Sequence, residues 1–165
     1  MPIEAWRVKV ISIRSILVAI DFSDLSPTVM DYACSLALAW EARLCVVHIV
    51  HDLSYFTGIY HTDTPLPELQ QRLEMEAHER LEALCQSQLG TQVPYETVVV
   101  TGRPVVEIYQ LIRQHAVDCL VLGAHSSDKP EHQLFGSTAE RLLQQTSCPI
   151  FMIPPRQASE IISRG

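Results

Sequence analysis

The sequence predicts an α/β protein built on an open, mainly parallel five-stranded sheet with helices on both faces. Three observations carry this. Five short apolar runs recur along the 165 residues, each continuous rather than alternating, as strands covered on both faces require. Four segments between them place apolar residues at helical spacing. Strand and helix also alternate strictly, the order that builds parallel crossovers.

The elements follow in order. After an N-terminal extension (1–13), Ile16–Ile20 (ILVAI) reads as the first strand, ended by Asp21. DFSDLSP then offers Ser26 as a helix cap and Pro27 in the first turn, with Val29, Ala33, Leu36, Ala37 and Trp40 at helical spacing. Residues 44–50 (LCVVHIV) are the second buried strand. Residues 51–66, with Gly58, Pro65 and three aromatics, are too long for an ordinary connection and read as a lid. A helix follows Pro67, its stripe made by Leu69, Leu73, Ala77, Leu81 and Leu84, with Gly90 as its stop. Strand 95–100, the turn Gly102-Arg103-Pro104, and a helix carrying Val105, Ile108, Ile112 and His115 come next. Strand 119–122, helix 137–146 and the strand 148–153 (CPIFMI) close the domain at 155, before a polar tail of residues 156–165.

Composition narrows the function. Nineteen acidic against twelve basic residues give a formal net charge of −7, and no Lys/Arg cluster appears, which argues against a nucleic acid partner. No apolar run approaches the ~20 residues of a membrane span. The opening MPIEAWRVKVISIR has no sustained apolar core before a cleavage site, so no secretion signal is expected. Five cysteines, odd in number and without a C-x-x-C pair, suit free thiols in a reducing cytoplasm.

Ligands of such sheets sit beyond the carboxyl ends of the strands, where the winding reverses. Asp21 ends strand one and Gly123 ends strand four, so both face one crevice if those strands are neighbours. Gly136-Ser137-Thr138 opens a helix whose unpaired N–H groups and positive dipole end suit phosphate. Neither a G-x-G-x-x-G after the first strand nor a G-x-x-x-x-G-K-[ST] loop is present.

Taken together, ILVAIDFS (16–23), VVHIV (46–50), GRPVVEI (102–108), Gly123-Ala-His-Ser126 followed after nine residues by Gly136-Ser137, and CPIFMI (148–153) resemble the universal stress protein family over about residues 14–155. The resemblance implies a Rossmann-like fold, a homodimer paired through the last strand (Pro149 to Ile153), and, in one branch of the family, an ATP or AMP site with Mg2+ accompanying ATP. It would put Asp21 at the ribose or the phosphate-bound metal, Ala19 and Ile20 beside the nucleoside, and the backbone of Ile49 at the adenine. Leu122 and Gly123 would floor the sugar-phosphate path, and Ser126, Gly136, Ser137 and Thr138 would wrap the phosphates. Ser126 stands where the motif has its second glycine. A Cβ forced into left-handed backbone costs about 1–2 kcal/mol, roughly tenfold in affinity; at negative φ its hydroxyl would donate to a phosphate instead.

The resemblance thus implies a cytoplasmic, dimeric, adenine nucleotide-binding regulatory module of the stress response. The alternatives are a member of the branch that binds no nucleotide and acts through protein partners, or a weak ATPase. Adenylating or pyrophosphatase relatives would need an SGGxDS-like loop or HIGH and KMSKS-like signatures, and no Ser/His/Asp or Cys/His catalytic set stands out, so no catalytic residue is assigned. A phospho-receiver would need an Asp where Val100-Thr101 stands. His51, Asp52, His61 and Asp63 match no compact metal spacing, and no metal ligand is assigned. His48 reads as a core histidine, His125 and Lys129 as solvated loop residues, and Tyr55, Phe56 and Tyr60 either as stackers or as anchors of the 51–66 loop.

Overall fold

The computed structural model describes residues 11–56, 65–124 and 136–155. The strands are β1 (Ser15–Ala19), β2 (Arg43–His51), β3 (Tyr95–Gly102), β4 (Cys119–Gly123) and β5 (Ile150–Ile153). The helices are α1 (Ser26–Trp40), α2 (Leu66–Gln88), α3 (Pro104–Gln114) and α4 (Ser137–Gln145). The sheet order is β3-β2-β1-β4-β5, and every pairing is parallel.

Successive strand residues point to opposite faces, and the apolar runs supply both cores. One face buries Ile16, Val18, Leu44, Val46 and Val121 among residues of α1 and α2, such as Met30 and Leu81. The other buries Leu17, Val47, Leu120 and Leu122 among α3 and α4, through Ile108, Leu111 and Leu142. Doubly covered strands are why the runs are continuous in sequence.

Several boundaries differ from the expectation. α1 is capped by Leu25 without a side-chain cap bond, because the Ser26 hydroxyl is donated to Asp21 Oδ1 at 3.2 Å instead. α2 starts at Leu66, with Pro67 inside its first turn, where a missing N–H costs nothing. Its end is as read, Gly90 turning away at φ 54. β2 and β3 outrun their apolar cores because their ladder continues to the pair His51 and Gly102. β5 opens at Ile150, preceded by Pro149, whose carbonyl accepts from Leu120 N–H at 2.9 Å.

Candidate nucleotide site

The winding order reverses between β1 and β4: α1 leads outward from β1 to β2, whereas β4 lies on the other side of β1. Crossovers on opposite sides of the sheet part at this point and leave a crevice beyond the strand ends. A cavity of about 630 Å³ occupies it, within the size range of small-molecule sites. Its wall holds Ala19, Ile20, Asp21, Ile49, Leu122, Gly123, Ser137 and Thr138, which sequence reasoning had nominated from four separate segments. Gly136 is not a wall residue; it caps α4 in extended backbone and donates its N–H to Ala124 O at 2.7 Å. Ser126, with His125 and Lys129, lies outside the described residues.

Asp21 organises the first turn. Its Oδ1 accepts from Ser23 N–H at 2.9 Å and from Ser26 Oγ. Among the described residues both bonds use one oxygen, which leaves the acceptor capacity of Oδ2. Across the cavity, the first amide of α4 that bonds back into the helix is that of Glu140, to Gly136 O at 3.0 Å. The amides of Ser137, Thr138 and Ala139 therefore precede the helical ladder, at the positive end of the helix dipole. A carboxylate and a cluster of N–H donors thus stand on two sides of one space.

β2 extends past the end of β1, and this positions Ile49. Ile20 N–H donates to Val47 O at 2.9 Å, so the polar groups of Val47 point toward β1. Ile49, two residues on, presents its N–H and C=O to the same side, where β1 has already stopped. This donor and acceptor pair on a strand edge suits the polar edge of a planar base.

The structure also brings in wall residues that were read otherwise or missed. His48 Nδ1 lies 2.8 Å from Ile20 O. A carbonyl only accepts, so Nδ1 carries the proton and the neutral ring offers Nε2 as an acceptor. Burial pushes its pKa below the ordinary value, which favours that neutral form. The histidine is satisfied by the main chain, as expected, yet it lines the cavity. Phe22 packs on it with ring centroids 4.2 Å apart, and Arg80 of α2 lies 4.4 Å over the Phe22 ring. Arg80 also donates to Phe22 O at 3.4 Å. Phe22 holds φ 59, a left-handed conformation rare for a bulky residue. Leu73, Glu76, Ala77 and Arg80 reach the wall together, spaced three and four apart on one face of α2. Of the four only Ala77 is buried, and the apolar stripe in the sequence marks Leu73 and Ala77 without saying what they face or that Glu76 and Arg80 stand beside them.

The remaining candidates separate. All five cysteines are free thiols. His51 lines the cavity, whereas Asp52 accepts from Ser54 N–H at 2.8 Å in a local turn. His61, Asp63 and Tyr60 fall outside the described residues. Tyr55 is 69% exposed on a short 3-10 turn (Leu53–Phe56). That turn is tied to α2 through Leu53 N–H and Gln70 Oε1 at 3.0 Å.

A sequence model of the Universal stress protein family matches residues 12–154. The universal stress protein YxiE of Bacillus subtilis is 28% identical over 145 residues, covering 85% of this chain and 98% of its own. Among solved structures, the universal stress protein UspA of Lactobacillus plantarum superposes with a TM-score of 0.73 at 26% identity, over 87% of this chain and 99% of its own. A universal stress protein of Archaeoglobus fulgidus in complex with dAMP gives 0.59 at 18% identity, over 87% and 99%. A universal stress protein in complex with cAMP gives 0.57 at 19% identity, over 87% of this chain and 98% of its own. Among the described residues no helix is long and apolar enough to cross a membrane.

Proposed function

The chain belongs to the universal stress protein family, and on that premise we propose that it binds an adenine nucleotide, ATP or AMP, in the crevice between β1 and β4 and acts as a dimeric regulatory module in the cytoplasm during stress. The observation that carries the reading is that Asp21 and the unladdered amides of α4 line the same cavity. Two relatives of the same fold were solved with adenine nucleotides, which supports it.

Each group has a part that its chemistry fits. Asp21 Oδ2 accepts from ribose hydroxyls or holds the Mg2+ that accompanies ATP. The amides of Ser137, Thr138 and Ala139, with the Ser137 and Thr138 hydroxyls, bind phosphate oxygens. Ile49 meets the base edge through its backbone, while Ala19, Ile20 and Leu122 give apolar contact. Arg80 sets a cation in the wall, balancing phosphate charge. Nothing in this set activates a water or a nucleophile, so turnover of ATP is slow at most.

Dimerisation is proposed through β5. Among the described residues it is an edge strand paired only to β4, and its Phe151 is 41% exposed with Trp40 edge-on at 5.7 Å. An apolar edge strand is unfavourable in water and pairs well with its own copy about a two-fold axis.

The test is to purify the chain and identify carried nucleotide by absorbance and mass, then follow retention and turnover of labelled ATP. Retention without multiple turnovers supports the module. Rapid turnover replaces it with an enzyme, and failure to retain any nucleotide assigns the chain to the branch that works through protein partners.

A further inference from the structure

A second cluster of chemistry-bearing side chains lies at the other end of the sheet. Cys45 and Glu96 are register partners on the adjacent parallel strands β2 and β3, so their side chains leave the same face. Both sit near the amino ends of their strands, away from the nucleotide crevice at the carboxyl ends. α3 covers that face and runs antiparallel to the strands, which delivers its carboxyl end to the same place. His115 caps it there, its N–H bonded to Leu111 O at 3.0 Å, and Ala116 turns the chain away at φ 47. The histidine backbone is therefore fixed by the helix end.

The three side chains converge. His115 Nδ1 is 3.4 Å from Glu96 Oε1, and one ligand atom each of Cys45, Glu96 and His115 lies within 4.8 Å of the others. We infer that Cys45, Glu96 and His115 form a binding site for a borderline-soft divalent cation, Zn2+ foremost, with the fourth position open to water.

The donor set selects the metal class. Sulfur with imidazole nitrogen suits Zn2+, whereas Mg2+ and Ca2+ take oxygen ligands. Ligand bonds of about 2.0–2.3 Å place the donors of a tetrahedral site roughly 3.5 Å apart. The Glu96 and His115 pair already has that separation, and the sulfur lies within 4.8 Å of both. A thiolate and a carboxylate with a neutral imidazole balance the charge of the ion. Coordination displaces the thiol proton, which passes to water. The access route is open: the Glu96 and His115 side chains are 53% and 31% exposed, while the thiol beneath them is buried. The competing reading is a satisfied polar trio, in which Glu96 pairs with His115 and accepts from the thiol. A partly exposed ion pair of that kind is worth little, and Cys45 already packs in the core, so the two readings part on metal binding alone.

The test titrates the chelator-treated full chain with Co2+, read by absorption, and with Zn2+, read by calorimetry. The expected result is one ion per chain and a near-ultraviolet sulfur-to-cobalt charge-transfer band. Cys45→Ser removes the band, and His115→Gln weakens Zn2+ binding by roughly tenfold or more. His115 is at a half-exposed helix end, so an unchanged circular dichroism spectrum of His115→Gln separates loss of the ligand from loss of the fold. Absence of the band in the native chain, its survival in Cys45→Ser, or undiminished Zn2+ affinity in folded His115→Gln would overturn the site.

Discussion

At the scale of single residues, Asp21 holds its turn through Oδ1, and in the proposed site Oδ2 takes the ligand. Asp21→Asn keeps an Oδ1 that accepts from Ser23 and Ser26, so the thermal midpoint should hold. The charge-assisted bond to the ligand is lost, and with about 1.5–3 kcal/mol at stake the nucleotide affinity should fall about 10- to 100-fold. Calorimetry on the variant, beside its melting curve, checks both halves. His48 gives a pH signature. Its folded pKa is depressed by burial, so below its ordinary value of about 6.5 the unfolded chain takes up a proton that the folded chain refuses. The stabilisation is full above that pH and is lost as pH falls toward the folded value. Between about pH 7.5 and about 5.5 the native chain should therefore lose more Tm than His48→Gln does. Equal losses would place the pH sensitivity elsewhere. That Asp21, Gly123 and Ser137 would line one cavity was legible because each closely follows or ends a strand or starts a helix. Phe22 and Arg80 were not, because their meeting depends on a left-handed phenylalanine and on a helix 58 residues away in sequence.

Among the elements, α4 joins the core to the site. Leu142 is fully buried against the β1 and β4 face, while the first turn of the same helix supplies the amides. Leu142→Ala should cost about 2–5 kcal/mol of stability, measured by denaturant unfolding. A loss below about 1 kcal/mol would mean that α4 is not packed as described. Gly136 lies at φ −68 and ψ 153, backbone that valine adopts freely. Gly136→Val should therefore keep the fold while its branched side chain crowds the phosphate approach and weakens nucleotide binding tenfold or more, about 1.4 kcal/mol. Unchanged affinity would show that the phosphates do not pass Gly136. Helix and strand identities were readable because doubly covered strands are continuously apolar. Their ends were less so. The ladder carries β2 and β3 past their apolar residues, and Asp21 takes the Ser26 hydroxyl that would otherwise cap α1.

For the whole molecule, topology explains why residues from both halves of the chain share a cavity. β1 is central, β2 and β3 are added on one side, β4 and β5 on the other, and the turnaround falls where Asp21 follows the end of β1 and Gly123 ends β4. Placing β1 beside β4 was the one step the sequence left conditional, since pairing across 103 residues leaves no local pattern; Ile16 meets Cys119 in the register. The same topology leaves β5 at an edge, and the proposed dimer should sediment at twice the chain mass. Phe151→Glu should shift it to monomer by placing a charge on that edge; an unaltered dimer would move the interface elsewhere. The most direct test of the central claim is a calorimetric titration of AMP into the nucleotide-free full chain. The account predicts saturable binding at one site per chain, weakened in Asp21→Asn. Heat no greater than dilution up to about 1 mM AMP, weaker than about −4.1 kcal/mol of binding, would contradict it.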